Sequence, residues 1–138
     1  MSWLTYALIA AVAAALTAIC AKLGVEGVPS TLATAIRTVF VGVIAWALVF
    51  ALGEQTGVRT VSGRSVVFLL LSGVATAVSW IAYFRALSMA PAAWVAPIDK
   101  LSLPFTILLA VLWLREPVGW QAVVGVALMV IGALLTRA

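Results

Sequence analysis

Apolar residues run along this chain in five long blocks, at about 3–22, 31–53, 65–87, 92–114 and 117–136. Charged, Gly and Pro residues gather in the breaks between them: Lys22 to Ser30, Gly53 to Arg64, Ser88 to Pro91, and Arg115-Glu116-Pro117. Within each block the apolar positions are continuous, not alternating, which argues against the strands of a membrane barrel. A helix needs about 20 mainly apolar residues to cross a hydrocarbon core roughly 30 Å thick, and every block meets that length. The pattern therefore predicts an all-α, polytopic membrane helix bundle of five transmembrane helices. They form a single transmembrane domain over residues 1–138 that leaves no room for an extramembrane domain, and no internal repeat is visible.

Composition narrows the function classes. Hydrophobic residues make up 66% and charged residues 9%, against about 45–50% and about 25% in a soluble domain. So few charges cannot cover a water-soluble surface, which argues against a soluble enzyme. With no His and one Cys, neither a His/Cys zinc site nor a disulfide framework is expected, and no metal or cofactor is expected. The net charge of +4 comes from basic residues scattered through the chain, so a nucleic-acid-binding patch is not expected. No G-x-x-x-x-G-K-[ST] loop is present, which argues against ATP-driven pumping. No basic residue precedes Lys22, so the first block is expected to be a retained helix and not a cleaved leader.

Five spans put the termini on opposite sides. The N-terminal side, A, then carries Arg59, Arg64 and Arg115, and side B carries Lys22, Arg85 and Arg137. Orientation follows Lys/Arg bias in short loops, and this count has none. Two readings fit it: a weak bias tipped by the terminal amine and by Arg59 and Arg64, or dual topology, with copies inserted both ways up. Small residues that permit close helix packing line Ala10, Ala14 and Ala18, Gly73 and Ala77, and Gly125 and Gly132.

Three ionisable residues lie inside spans: Arg37 in the second, and Asp99 and Lys100 in the fourth. Each costs about 2.5–3.5 kcal/mol at a helix centre, and such residues usually face a bundle interior or a wet cavity. At helical rise, Arg37 and Asp99 both lie roughly 10–12 Å below side B, so an Arg37–Asp99 ion pair is geometrically possible. A structural clamp and a contact for substrate or coupling ion are both open for these charges. Pro97 and Pro104 lack amide hydrogens, so the carbonyls of Ala93 and Lys100 lose their helical partners. Discontinuous helices of this kind occur at transporter binding sites; a simple proline kink is the competing account. On the third span Ser72, Thr76, Ser79 and Tyr83 follow helical spacing, and Thr34 shares a face with Arg37. Trp80 and Trp94 could wall a cavity. Together these predict a polar pocket open to side B, built from Arg37, Asp99, Lys100, Ser79, Tyr83 and Thr34, with Arg85 near its mouth. Its surplus cation would suit an anionic group.

These residues resemble a known family. Ala21-Lys22, Ala35-Ile36-Arg37-Thr38, Tyr83-Phe84-Arg85-Ala86-Leu87, Val95-Ala96-Pro97-Ile98-Asp99-Lys100-Leu101-Ser102, Pro104, Leu114-Arg115-Glu116, Gly125 and Gly132 carry the likeness. They are similar to the EamA-type drug/metabolite transporter superfamily, and especially to its five-span bacterial/archaeal transporter group. Larger members carry two five-helix repeats, inverted around a central cavity. The resemblance therefore implies that this chain is one half of an inverted-repeat transporter fold. It further implies assembly of two chains, most simply as an antiparallel homodimer.

The resulting expectation is a secondary transporter of a small polar or charged metabolite, working by alternating access in the inner (plasma) membrane as a multi-pass protein. The alternatives are a non-transporting membrane subunit or assembly protein, or one half of a heterodimeric transporter. An intramembrane enzyme is disfavoured. Asp99 is the only acid deep in a span, and Lys100 and Ser102 do not face each other at a spacing of two on a helix.

Overall fold

A computed structural model describes residues 2–136, and among them every regular element is helical. The chain divides into two compact units, residues 21–88 and residues 1–20 with 89–138.

In the unit of residues 21–88, helix α1 (Trp3–Gly24) ends, and α2 (Ser30–Ala51) and α3 (Gly63–Met89) follow. Lys22 lies in the last turn of α1, where a cation complements the helix dipole. The link to α2 turns through Gly27 at φ 74°, a left-handed conformation that disfavours a side chain. Pro29 then starts α2, its carbonyl accepting the Ala33 amide at 3.0 Å. Inside α2 the Thr34 and Thr38 hydroxyls each donate at 2.8 Å to the carbonyl four residues back, so neither is stranded among apolar groups. Helix α2 stops at Gly53, φ 73°, and a 3₁₀ turn over Glu54–Thr60 carries the chain to α3. Ser62 caps α3: its hydroxyl accepts the Ser65 amide at 3.1 Å, as first-turn amides require. The core of this unit is small, comprising Ala21, Val25, Thr34, Phe84 and Leu87.

The other unit holds the first five turns of α1, then α4 (Ala92–Asp99), α5 (Ser102–Leu109), a π-helical turn over Ala110–Leu114, and α6 (Trp120–Leu135). Helix α6 packs against α4 and α5. Ala18 and Ala133 are buried, whereas Ala10 and Ala14 stay exposed.

Four helical stretches are long and apolar enough to cross a membrane: Trp3–Gly24, Ser30–Ala51, Gly63–Met89 and Ala92–Leu114. The fifth is shorter than the apolar block that predicts it. Helix α6 begins at Trp120 and not at 117, because Pro117 biases Glu116 away from helix and Gly119 is extended at ψ 153°. The expected C-terminal cation Arg137 lies outside the described residues.

Candidate functional site

The fourth span is interrupted where its charges lie. Helix α4 ends at Asp99 and α5 begins at Ser102, with Lys100 and Leu101 in a turn. The Lys100 amide is shared between the carbonyls of Ala96 (3.3 Å) and Pro97 (3.1 Å), and the Leu101 amide reaches Ile98 (3.0 Å). These tightened bonds close α4 as a 3₁₀ turn. The Lys100 carbonyl, which Pro104 cannot serve, accepts the Leu103 amide at 3.0 Å. The span is therefore discontinuous in helical path, yet that carbonyl is satisfied. At the start of the break, Lys100 Nζ lies 3.3 Å from Oδ2 of its neighbour Asp99, with Asp99 half-buried and Lys100 exposed. A carboxylate and an ammonium thus meet at an irregular piece of backbone inside an apolar span.

In the unit of residues 21–88, the Arg37 guanidinium carbon sits 4.1 Å above the centre of the Trp80 ring and 5.7 Å from that of Phe84. A cation over an aromatic face gains roughly 0.5–2 kcal/mol, the upper end when desolvated. That offsets part of the cost of holding an Arg inside the membrane, about 2.5–3.5 kcal/mol at a helix centre. Tyr83, half-buried, meets Phe84 edge-on with ring centres 6.5 Å apart.

Above this stack, the ends of three helices surround an open cleft of about 480 Å³. Lys22, Glu26, Ser30, Arg85 and Ser88 are among its lining residues, so two cations and one carboxylate share it. Lys22 Nζ donates to the Leu87 carbonyl at 2.6 Å, and the Ser88 hydroxyl to the Arg85 carbonyl at 2.7 Å. Arg85 and Glu26 are exposed and can meet a charged solute at the mouth.

The sequence-derived site residues therefore fall into five settings. Asp99 and Lys100, with Pro97 and Pro104 on either side, form the helix break. Arg37 and Tyr83 belong to the aromatic cluster, and Arg85 to the cleft. Thr34 is buried in the packed layer, its hydroxyl turned back to Ser30. Ser79 is exposed on α3, as are Ser72 and Thr76. Sequence reasoning overlooked Glu26 and Lys22 as cleft residues. Their spacing of four, with opposite charges beside a helix end, was the available signal. Trp80, expected only as a cavity wall, carries the Arg37 guanidinium, and Trp94 is 50% exposed.

A curated relative from Sinorhizobium sp., described as "Uncharacterized transporter in cobO 3'region", is 46% identical over 134 residues. The match covers 97% of this chain and 95% of the relative. No solved structure matches the chain. The EamA-like transporter family matches residues 1–138. With multiple apolar helices and a charged break within one of them, the chain is a multi-pass membrane protein that belongs to the EamA-like transporter family.

Proposed function

We propose that this protein is a secondary transporter that moves a small polar or charged metabolite across the inner (plasma) membrane by alternating access. The observation that carries this reading is the helix break at Lys100–Leu101, with the Asp99–Lys100 pair set on it. Ionised side chains within an apolar span are costly unless they pair with one another or face a cavity or a bound solute. Interrupted helices serve that purpose in transporters. Asp99 and Lys100 bind the solute or a coupling proton, Arg37 binds the solute, and Thr34, Ser79 and Tyr83 are neutral contacts. Arg85 receives the solute at the mouth.

The working unit is an antiparallel dimer. Support comes from the near absence of burial along the long helices: none of the most apolar window of α3 is buried within the chain. The small-residue pair Gly73 and Ala77 is exposed there, and small residues are what close helix–helix contact in lipid requires. The balanced Lys/Arg count supports insertion in both orientations.

Uptake into proteoliposomes holding the purified chain tests the proposal, with a panel of labelled metabolites and an imposed proton gradient. Wild-type protein should accumulate at least one solute, and Asp99→Asn should abolish gradient-driven uptake while leaving the melting profile intact. Wild-type rates in that variant would remove Asp99 from the mechanism. No uptake of any solute by the chain alone would favour a subunit role or a heterodimer. A C-terminal reporter read from both sides of the membrane tests the dimer: mixed orientation is expected, and a single orientation excludes the antiparallel homodimer.

A further inference from the structure

Helices α2 and α3 carry the same sequence of layers inward from the cleft. On α2 these are Ser30 at the cleft, buried Thr34, then Arg37; on α3 they are Ser88 at the cleft, buried Phe84, then Trp80. At helical rise the last pair lies about 10–12 Å below the first. Beneath a packed layer, then, an Arg is held at hydrophobic depth by aromatic faces.

The chemistry of that arrangement is specific. Among the described residues the Arg37 guanidinium makes ring contacts but no hydrogen bond or ion pair. A guanidinium carries five N–H donors and never deprotonates in proteins. A ring face is not a lone-pair acceptor, so these ring contacts leave the in-plane N–H donors without hydrogen-bond partners. A membrane interior supplies no water to satisfy them. The matching acceptor is a planar pair of oxygens, which a carboxylate or phosphate provides in bidentate form.

We propose that Arg37 is the receptor for an oxyanion, a carboxylate or phosphate group on the transported solute, and that Trp80 is the positioning residue that holds it in register. The inference rests on the transporter reading above, because the anion belongs to the solute. In the absence of anion, Trp80 and Phe84 carry the cation; when the anion arrives, the guanidinium keeps its place over Trp80 and fills its in-plane donors. The packed layer of Thr34, Phe84 and Leu87 lies between that receptor and the cleft, so entry from this side requires α2 and α3 to part there.

The test is ligand-dependent thermal stabilisation of the full chain in nanodiscs. The probes are sodium benzoate and inorganic phosphate, with choline chloride at equal ionic strength as the cationic control. Wild-type protein should be stabilised by at least one of the anions and not by choline, and the anion that acts identifies the oxyanion. Arg37→Gln should abolish the response, while Arg37→Lys, which keeps the charge but loses the fork, should fold and respond more weakly. Trp80→Phe should weaken apparent affinity about three- to tenfold, the loss expected when a Trp face is replaced by a poorer one. Silence of the wild type towards both anions, or an unchanged response in Arg37→Gln, would overturn the receptor; wild-type affinity in Trp80→Phe would overturn the positioning role. Anion binding without uptake of any solute would remove the transport reading alone. Uptake of a cation that is indifferent to Arg37→Gln would remove this inference alone.

Discussion

Lys22 Nζ donates to the carbonyl of Leu87 over 2.6 Å, although 65 positions separate the two residues in the chain. Lys22 lies in the last turn of α1 and Leu87 in the last turn of α3. Terminal carbonyls lack partners within their own helix, and both helix ends carry partial negative charge. A single ammonium therefore serves two helix ends and ties α1 to α3 at the rim of the cleft. Leu87 is fully buried at 0% exposure, so its carbonyl has little access to a substitute.

Lys22→Met should lower the stability of the detergent-solubilised protein by about 1–3 kcal/mol, the cost of leaving a buried acceptor unserved. Thermal unfolding followed by circular dichroism reads it. Lys22→Arg should recover part of the loss, and a melting curve for Lys22→Met that overlays wild type would refute the tie.

Gly27, at φ 74° with open space around it, constrains the backbone and not the volume. Gly27→Val should destabilise by about 1–2 kcal/mol through left-handed strain, and Gly27→Asn by less. Equal melting temperatures for the two variants would show that the turn relaxes to another conformation.

Pro104→Ala should restore an amide that can donate to the Lys100 carbonyl in place of Leu103. Helix α5 would then extend back across the break. Hydrogen exchange should show protection of the new amide at position 104, and solute uptake should fall at least tenfold, about 1.4 kcal/mol in the transport barrier. Wild-type uptake together with a protected amide would separate the break from transport.

Arg115 holds φ 55°, the one non-Gly residue with positive φ among the described residues. It ends the π-helical turn, where its amide and that of Glu116 converge on the Ala110 carbonyl. Arg115→Gly should raise stability by about 1 kcal/mol through relief of that conformation. A lower melting temperature would mean that the Arg side chain contributes more than its backbone costs.

The existence of the long helices was legible because apolar residues run unbroken between polar breaks, and the interruption of the fourth span was legible from Pro97 and Pro104. Its location, at Lys100–Leu101, was less so. Proline removes a donor four residues ahead of the carbonyl it strands, and the neighbouring amide of Leu103 repaired that loss. The setting of Arg37 was hidden for a different reason. Depth arithmetic pairs charges with charges, whereas the partner in the structure is an uncharged ring 43 positions away. Likewise Lys22 bonds a backbone carbonyl, an acceptor that every residue offers and no sequence pattern marks. Helical spacing placed Ser72, Thr76 and Ser79 on one face, but spacing says nothing of what covers that face; among the described residues all three are exposed.

The brevity of α6 has a consequence for the lipid. Its 16 residues span only about 24 Å at helical rise, short of a hydrocarbon core of roughly 30 Å. The apolar block of α3, residues 65–87, reaches about 35 Å. No single bilayer thickness matches both. A long helix adjusts by tilting, whereas a short one draws the membrane inward around it, at fractions of a kcal/mol per Å. Hydrophobic mismatch is thus built into the chain. Bilayers of shorter acyl chains relieve α6 at little cost to α3, so lipid thickness becomes a control on this protein that acts without touching its charged residues.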